Sequence, residues 1–285
     1  MEKIHAAAIV LAAGSGKRMQ TEVPKQFLDL NGHPLLYYSL MTFEESCVDR
    51  IVLVTGADQI AYCRTEIAEK YGFRKVSAIV AGGKERYDSV YAGLLALEKD
   101  NPEYVLIHDG ARPFVTQDII RRTLAGAEAH GACVAGMPVK DTIRLVDEEQ
   151  FSTATPDRKK VWMMQTPQTF SYSLILSAYQ KLPMSKEQDH PKDEEIKTDA
   201  VKGCFAADHA EGCFATHYAE DCFAAEKTEC HSIFGDAECR SITDDAQVLE
   251  CMLGRRAKIV EGSYENIKIT TPSDLKIAEV LCNIR

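Results

Sequence analysis

Short apolar runs alternate with longer amphipathic stretches through the first half of the chain. The apolar runs lie at residues 9–14, 50–56, 76–83, 104–112 and 132–139, and the helical periodicity lies at 34–45, 58–70, 86–99 and 116–130. Buried strands separated by amphipathic helices are typical of βαβ units in a mostly parallel sheet covered on both faces. The pattern therefore predicts an α/β fold with a doubly wound sheet, whose ligands bind at the carboxyl ends of the strands.

Two segments interrupt this alternation. Residues 140–164 contain short β-type pieces around polar turns, which predicts an antiparallel arm. Residues 184–240 are rich in charge and then repeat the near-identical units CFAADHAEG, CFATHYAED and CFAAEKTEC. Regular patterning resumes after them and ends in a helix predicted at 272–281. We therefore expect one domain over residues 1–285, with an arm at 138–164 and an acidic, cysteine-rich insertion at 184–240.

Composition and charge narrow the class of protein. The chain has 285 residues, 45% of them hydrophobic, which is enough apolar material for the core of one large domain. Its net charge is −10, but residues 184–240 hold 14 of the 43 acidic residues and only 6 of the 33 basic ones. The rest of the chain is nearly neutral. Because a nucleic-acid surface needs a basic face, we expect no nucleic-acid partner.

Membrane insertion and secretion are not expected either. No apolar run approaches the roughly 20 residues that span a bilayer, and the first residues lack a cleavable signal pattern. Five of the ten cysteines are scattered outside residues 184–240, as is usual for reduced, structural thiols. The sequence therefore predicts a cytoplasmic protein.

The stretch AAAIVLAAGSGKRM, at residues 6–19, runs from a buried strand into glycines and two adjacent cations. It lacks the third glycine of a dinucleotide fingerprint because Met19 stands there, and Gly14 and Gly16 are too close together for a P-loop. Two interpretations remain. One is a tight turn with solvated charges, and the other is a triphosphate loop in which backbone N–H groups, Lys17 and Arg18 clamp a nucleotide.

An ordered set of motifs carries a closer resemblance. They are LAAGSGKRM, TEVPKQFLDLNGHPLL, GGKERYDSV, LIHDGARP, KDTI, PDRKKVWMMQTPQTF, ITDDAQVLE and ENIKIT. Over residues 4–183 and 241–285 the chain resembles the 2-C-methyl-D-erythritol 4-phosphate cytidylyltransferase family of polyol-phosphate nucleotidyltransferases. The resemblance implies a Rossmann-like nucleotidyltransferase fold and cytidylyl transfer from CTP to 2-C-methyl-D-erythritol 4-phosphate, an isoprenoid-precursor reaction that releases pyrophosphate.

The resemblance also implies roles at the nucleotide. It assigns charge neutralisation at the reacting phosphorus to three catalytic cations, Arg18, Lys25 and Lys268. The residues implied to bind CTP are Ala12, Ala13, Gly14, Gly16, Lys17, Gly82, Lys84, Arg86 and Ser89. Asp109 follows a strongly apolar strand, and a hard carboxylate beside a triphosphate is suited to Mg²⁺, the expected cofactor. The alternative for Asp109 is a turn or helix-capping aspartate. We expect His108 to be a packed histidine.

Four further residues match family positions for the polyol phosphate: Arg112, Thr142, Arg158 and Thr166. Bidentate arginines suit phosphate geometry. In the family, the last two reach across a dimer interface through the arm. The resemblance therefore implies a homodimer with shared active sites.

Residues 184–240 have no counterpart in this resemblance. A nine-residue spacing places successive cysteines on opposite faces of a helix or strand, and no C-x₂₋₄-C pair occurs there. A metal site, a solvated repeat-expanded loop and a partner-binding element all remain open.

Two alternative functions are weighed against cytidylyl transfer to the methylerythritol phosphate. One is the sister reaction on ribitol 5-phosphate. The other is a non-catalytic nucleotide-binding or scaffold protein, against which the joint presence of Arg18, Lys25, Asp109 and Lys268 argues.

Overall fold

The computed structural model describes residues 4–14, 19, 23–182 and 242–284. The predicted insertion at 184–240 and the predicted loop residues Gly16, Lys17 and Arg18 lie outside these residues. No helix in the described part of the chain combines the length and the apolar character needed to cross a membrane.

The described residues form eleven strands and seven α-helices. The strands are β1 Ala6–Ala12, β2 Asp29–Leu30, β3 His33–Pro34, β4 Arg50–Thr55, β5 Val76–Ala81, β6 Tyr104–Asp109, β7 Ala132–Pro138, β8 Leu145–Val146, β9 Ser152–Ala154, β10 Trp162–Ser171 and β11 Lys258–Glu261. The helices are α1 Leu35–Glu44, α2 Ile60–Tyr62, α3 Arg86–Ala96, α4 Gln117–His130, α5 Tyr172–Lys181, α6 Asp245–Leu253 and α7 Pro272–Ile284.

Seven strands make the central sheet, in the order β11-β7-β10-β6-β1-β4-β5. The ladders β1–β4, β1–β6, β4–β5 and β7–β11 are parallel, and β10 is antiparallel to both of its neighbours. The strand order changes direction between β1 and β6, which is where doubly wound sheets bind their ligands. The predicted α/β fold with a mostly parallel, doubly wound sheet is confirmed.

Alternation along β1 divides the core into two layers. Ala6, Ala8 and Val10 pack with α1 and α4 on one face, while Ala7 and Ile9 pack with α3, α5 and α6 on the other. All five side chains are at most 2% exposed. Because side chains alternate across a strand, a run of apolar residues without polar breaks is what a strand buried on both faces requires.

Strand β10 is the element that the hydrophobic pattern did not predict. Polar residues occupy its middle, and among them Gln165, Thr166 and Gln168 are at most 7% exposed. These side chains hydrogen-bond to neighbouring segments, which makes their burial tolerable. A strand of this kind sits inside the sheet although its sequence reads as a polar excursion.

Two other segments differ in detail from the pattern. The helix predicted at 58–70 consists of a 3₁₀ turn, Ala57–Gln59, the short α2 and a π-helical stretch, Cys63–Glu69. The polar segment after β7 contains an antiparallel pair, β8 with β9. Residues 162–164 belong to the main sheet, where they pair with β7. We therefore use the name hairpin for residues 139–161.

Candidate active site

A cavity of about 360 Å³ opens at the carboxyl ends of β1 and β6, where the strand order reverses. It is lined by Leu11, Ala12, Ala13, Gly14, Lys25, Gln26, Gly83, Lys84, Glu85, Arg86, Ser89, Asp109, Ala111 and Lys268. Nine of these were predicted as site residues: Ala12, Ala13, Gly14, Lys25, Lys84, Arg86, Ser89, Asp109 and Lys268. Four lining side chains are cationic and two are carboxylates, although the whole chain is acidic.

Gln26 stabilises the turn after β1 through a hydrogen bond to its backbone. This glutamine is only 3% exposed, and its Nε2 donates a hydrogen bond to the Ala12 carbonyl. Lys25 precedes it in a 3₁₀ turn, Lys25–Phe27, and its Nζ donates to the Ile269 carbonyl at 3.2 Å. The turn that carries Gln26 therefore places Lys25 at the rim of the cavity.

Glycine and serine shape the wall opposite this turn. A Cβ on Gly82 would lie 2.5 Å from the Cβ of Ala13 and 2.7 Å from the Ser89 hydroxyl. The Ser89 hydroxyl accepts a hydrogen bond from the Gly83 N–H at 3.2 Å. A glycine at position 82 is therefore required for the close approach of its loop to Ala13. Gly82 does not itself line the cavity, but it supports the residues that do.

A capping box starts α3 beside the cavity. Glu85 is the N-cap, and its backbone N–H donates to the Asp88 carboxylate at 3.0 Å. Arg86 is then the first helical residue, and its side chain extends toward Asp109 and Asp245. Local capping chemistry thus fixes the backbone from which Arg86 reaches the site.

Asp109 lies at the last position of β6 and is 8% exposed. Its Oδ2 is 2.7 Å from Lys268 Nζ and 3.9 Å from Arg112 Nε, and its Oδ1 accepts from Arg86 Nε at 3.4 Å. Burial raises the pKa of Asp109, but the charges of Arg86, Lys268 and Arg112 outweigh it and hold that pKa well below its usual range. Asp109 is therefore ionised throughout the neutral range.

The segment that delivers Lys268 is pinned to the end of β6. The Ile269 N–H donates to the Ala111 carbonyl at 2.8 Å, and Arg112 Nη1 donates to the Asn266 carbonyl at 2.8 Å. Arg112 therefore lies beside Asp109 with one end of its guanidinium committed to this segment. That arrangement joins the C-terminal part of the chain to the site.

Arg86 makes its strongest contacts with a residue that sequence reasoning missed. Its Nη1 and Nη2 donate to the two carboxylate oxygens of Asp245, both at 2.8 Å. Asp245 is fully buried and also accepts a hydrogen bond from the Tyr179 hydroxyl at 2.6 Å. Burial lowers the pKa of Arg86, but Asp245 and Asp109 outweigh it and raise that pKa well above its ordinary value. We use the name charge cluster for Arg86, Asp109, Arg112, Asp245 and Lys268.

His108 supports the cluster from inside the fold. It is fully buried, its Nε2 donates to the Arg112 carbonyl at 3.2 Å, and its Nδ1 accepts from the Thr166 hydroxyl at 2.9 Å. Burial lowers its pKa to about 4, which keeps the ring neutral at pH 7. The expectation of a packed histidine is confirmed.

The residues predicted to bind the polyol phosphate fall into two places. Arg112 and Thr166 lie behind Asp109, and the Thr166 hydroxyl also accepts from the Asp109 N–H at 3.1 Å. Thr142 and Arg158 lie on the exposed hairpin, where Arg158 Nη1 donates to the Lys140 carbonyl at 2.9 Å. Within one chain, the cavity wall contains none of these four residues.

Asp245, Tyr179 and Gln26 were not predicted as site residues. Asp245 lies in the quoted motif ITDDAQVLE, but an Asp-Asp pair before a helix reads as a capping signal, and Asp244 does cap α6. Tyr179 reads as one more apolar position of a helix. One signal could have singled out Asp245: Asp244 alone is enough to cap α6, so a second aspartate next to it needs another explanation.

The side chains at the cavity suit a magnesium ion. Asp109 presents a hard, ionised carboxylate to the cavity, and Mg²⁺ is usually held by one or two carboxylates while phosphates and water fill the other positions. Among the described residues, no group of three or more His, Cys, Asp or Glu side chains is placed to hold a metal ion. Asp109 fits a metal that arrives with a phosphorylated substrate.

A cavity with four cationic side chains at the switch point of a doubly wound sheet is suited to the phosphates of a nucleotide, as a nucleotidyltransferase requires. Comparison with known proteins narrows that class. The chain belongs to the 2-C-methyl-D-erythritol 4-phosphate cytidylyltransferase (IspD) family, whose model matches residues 6–201 and 217–283. The match includes residues 184–201 and 217–240, so the expectation that the whole of 184–240 lacks a counterpart in the family is wrong. Within the predicted insertion, only residues 202–216 are unmatched.

Similar proteins carry the same description. The 2-C-methyl-D-erythritol 4-phosphate cytidylyltransferase of Alkaliphilus oremlandii is 40% identical over 280 residues, covering 98% of this chain and 95% of the relative. That of Lachnospira eligens is 42% identical over 274 residues, covering 96% and 97%. Among solved structures, the 4-diphosphocytidyl-2C-methyl-D-erythritol synthase of Anaerococcus prevotii has a TM-score of 0.69 at 27% identity, covering 99% of this chain and 97% of that one.

Proposed function

We propose that the cavity at the end of β1 and β6 is the CTP site of a cytidylyltransferase and that Asp109 and Lys268 of the charge cluster form its catalytic floor. The reaction of the family is cytidylyl transfer from CTP to 2-C-methyl-D-erythritol 4-phosphate. A phosphate oxygen of the acceptor forms a bond to the α-phosphorus of CTP. The bond between the α-phosphorus and the bridging oxygen breaks, and pyrophosphate leaves with its electron pair.

The observation that supports this proposal best is the uneven charge of the chain. Lys25, Lys84, Arg86 and Lys268 converge on a cavity with two carboxylates, in a protein whose net charge is −10. The N-terminus of α3 faces the same space and adds N–H groups that favour an anion. A triphosphate is the kind of ligand that this distribution attracts.

The chemistry asks little of the protein beyond positioning and electrostatics. The attacking phosphate oxygen is already anionic, so no general base has to remove a proton. Lys25 and Lys268 lie at the rim and at the floor, where they neutralise charge that builds on the α-phosphorus and on the leaving pyrophosphate. Arg18, which lies outside the described residues, is assigned the same task in the loop after Gly14.

The remaining CTP contacts belong to the wall opposite Lys25. Ala12, Ala13 and Gly14 offer backbone groups from one side, while Lys84 and Ser89 approach from the other. Gly82 keeps the two sides close. We assign the cytosine and ribose to this wall, with Arg86 between the nucleoside and the phosphates.

Magnesium is the proposed cofactor, and Asp109 would hold it. When bound, the ion would neutralise phosphate charge and activate the α-phosphorus toward attack. Lys268 Nζ lies 2.7 Å from Asp109 Oδ2, and we propose that it turns from the carboxylate to the phosphates when CTP enters. The carboxylate then becomes available to the ion.

The acceptor site is proposed to be shared between two chains. Arg112 lies behind Asp109, while Thr142 and Arg158 lie on the exposed hairpin. Leu145, Val146 and Phe151 of the hairpin are 53%, 58% and 67% exposed, which is unusual for apolar side chains that have no partner. We propose a homodimer in which the hairpin brings Arg158 to the partner's cavity, and a cytoplasmic location where CTP and reduced thiols are found.

Pyrophosphate release from CTP tests the function directly. We expect Mg²⁺-dependent release with 2-C-methyl-D-erythritol 4-phosphate and little with ribitol 5-phosphate. Preferential turnover of ribitol 5-phosphate would contradict the acceptor assignment. CTP binding without turnover of either acceptor would favour a nucleotide-binding protein over an enzyme.

A further inference from the structure

The guanidinium of Arg86 is shared between two carboxylates. Both terminal nitrogens bind Asp245 at 2.8 Å, whereas Asp109 receives only Nε at 3.4 Å. Bidentate arginine–carboxylate pairs with two short parallel bonds are the geometrically specific ones. Asp245 therefore decides where Arg86 sits, and the contact with Asp109 is secondary.

Asp245 is itself held on several sides. Its backbone N–H donates to Gln168 Oε1 at 3.0 Å, and the Ala246 N–H donates to the same oxygen at 3.0 Å. The Tyr179 hydroxyl donates to Asp245 Oδ1 at 2.6 Å, and Asp245 has no exposed surface. Its carboxylate does not line the cavity, so a direct contact with a nucleotide is not its role.

We propose that Asp245 is a positioning residue for CTP binding: by holding both terminal nitrogens of Arg86, it fixes the guanidinium in the CTP wall and keeps it from pairing fully with Asp109. The inference rests on the proposed function, because it assumes that Arg86 faces the nucleotide. Without Asp245, Arg86 would have one carboxylate left and would turn to it. The cavity would then lose a cation held in a fixed position, and the charge of Asp109 would be more fully neutralised.

The matched pair of variants is Asp245→Asn and Asp244→Asn. Both remove one negative charge at adjacent positions, but Asp244 caps α6 and asparagine can also cap a helix. We expect Asp245→Asn to raise KM for CTP roughly tenfold or more, with a smaller change in KM for the acceptor, since it breaks a buried charge pair. Asp244→Asn should leave both values within about twofold.

A double-mutant cycle separates positioning from general support of the fold. If Asp245 acts through Arg86, the variant carrying both Arg86→Gln and Asp245→Asn should bind CTP no more weakly than Arg86→Gln alone. Additive losses would overturn the inference. So would an unchanged KM for CTP in Asp245→Asn accompanied by a lower melting temperature, which is the behaviour of a purely structural pair.

Two further measurements cover other outcomes. Should Asp245→Asn fail to fold, Tyr179→Phe removes one hydrogen bond to Asp245 while keeping the charge pair. It should raise KM for CTP about threefold, and an unchanged KM in folded protein overturns the inference. Crystal structures of wild type and of Asp245→Asn, or of Tyr179→Phe in its place, give a test that does not depend on turnover, because the Arg86 guanidinium should shift toward Asp109. A guanidinium that keeps its wild-type position would overturn the inference. Absence of turnover in wild type would count against the proposed function alone.

Discussion

In the charge cluster, five ionised side chains from separate parts of the chain hold one another at 2.7–3.9 Å, and Asp245 is completely buried. In the hairpin, Thr142 and Arg158 are exposed and three large apolar side chains face outward. Both regions carry predicted site residues. The cluster is preorganised by its own chain, whereas the hairpin has the features of a surface that a second chain completes. The difference supports the proposal that the active site combines residues positioned by folding of one chain with residues supplied by a second chain.

Asp109→Asn should break the cluster at its centre and have the largest effect. It would leave Arg86, Arg112 and Lys268 without their shared carboxylate and remove the proposed metal ligand. We expect kcat/KM to fall by roughly 10³, with a stability loss of about 3 kcal/mol because a buried charge network loses one partner. Initial rates at several Mg²⁺ concentrations and thermal unfolding measure both effects.

The matched control for this variant is Asp118→Asn. Asp118 pairs with Arg122 at 3.2 Å on the surface, and its side chain is 63% exposed. Its removal should change rate and stability very little, since exposed ion pairs contribute little. Wild-type turnover by Asp109→Asn at any Mg²⁺ concentration would show that Asp109 is not part of the catalytic floor.

Lys25→Ala tests the rim of the same cavity. We expect kcat to fall by roughly 10²–10³, about 3–4 kcal/mol, as when a preorganised donor to developing charge is removed. The fold should survive, which circular dichroism would verify. Lys70→Ala, at an exposed lysine paired with Glu66, serves as the control. Normal turnover in Lys25→Ala would remove this lysine from the catalytic set.

Acid should lower the free energy of unfolding through His108, which is buried behind the charge cluster and bonded to the Arg112 carbonyl and the Thr166 hydroxyl. Its pKa is lowered from 6.5 to about 4 in the folded protein, so the unfolded state binds the proton more readily. The stabilisation by neutral His108 is present above pH 6.5 and is lost as the pH falls toward 4, by roughly 3 kcal/mol. Asp109 also favours the fold less in acid, but below its unfolded pKa of 3.8 and thus outside this window.

Denaturant unfolding at pH 7 and pH 4.5 measures this loss. His108→Gln should flatten the dependence on pH, whereas His130→Gln, at the exposed end of α4, should not. An equal slope in all three proteins would show that the burial of His108 is not what makes the fold sensitive to acid.

The hairpin is tested by mixing two inactive proteins, Lys25→Ala and Arg158→Ala. If Arg158 serves the partner's cavity, each heterodimer has one site with both residues intact and one with both lesions. Random exchange should then restore activity at about a quarter of the wild-type sites. Native mass spectrometry confirms exchange, and activity that stays at the parental level would place Arg158 in its own chain's site.

Deletion of residues 184–240 with a short Gly-Ser bridge should have the smallest effect. The entropy of loop closure changes slowly with loop length, and all of the quoted family motifs lie outside this segment. We expect kcat/KM within about twofold of wild type. Insoluble protein, or lost turnover with CTP binding intact, would make the insertion part of the enzyme, and near-stoichiometric zinc in wild type would favour the metal interpretation.

Sequence patterns predicted the residues that line the cavity better than the buried residues that hold them in place. Ala12, Gly14, Lys25, Asp109 and Lys268 all follow strands or occupy motifs that can be read locally, and the structure brings them to one cavity. Strand β10 was missed because its buried residues are polar and become satisfied only by distant partners. Asp245 was missed for the same reason, since its importance lies in Arg86, 159 residues away.

By itself, the sequence determined the alternation of strands and helices in the first half of the chain, the doubly wound α/β fold and the family. These depend on periodicities and motifs spanning a few residues, where side-chain alternation and capping act locally. Only the tertiary structure decided that β10 runs inside the sheet, that Arg86 is held by Asp245, and that Thr166 binds His108 rather than facing the cavity. Such pairings join residues far apart in the chain, and their free energies depend on burial and geometry that exist only once the chain has folded.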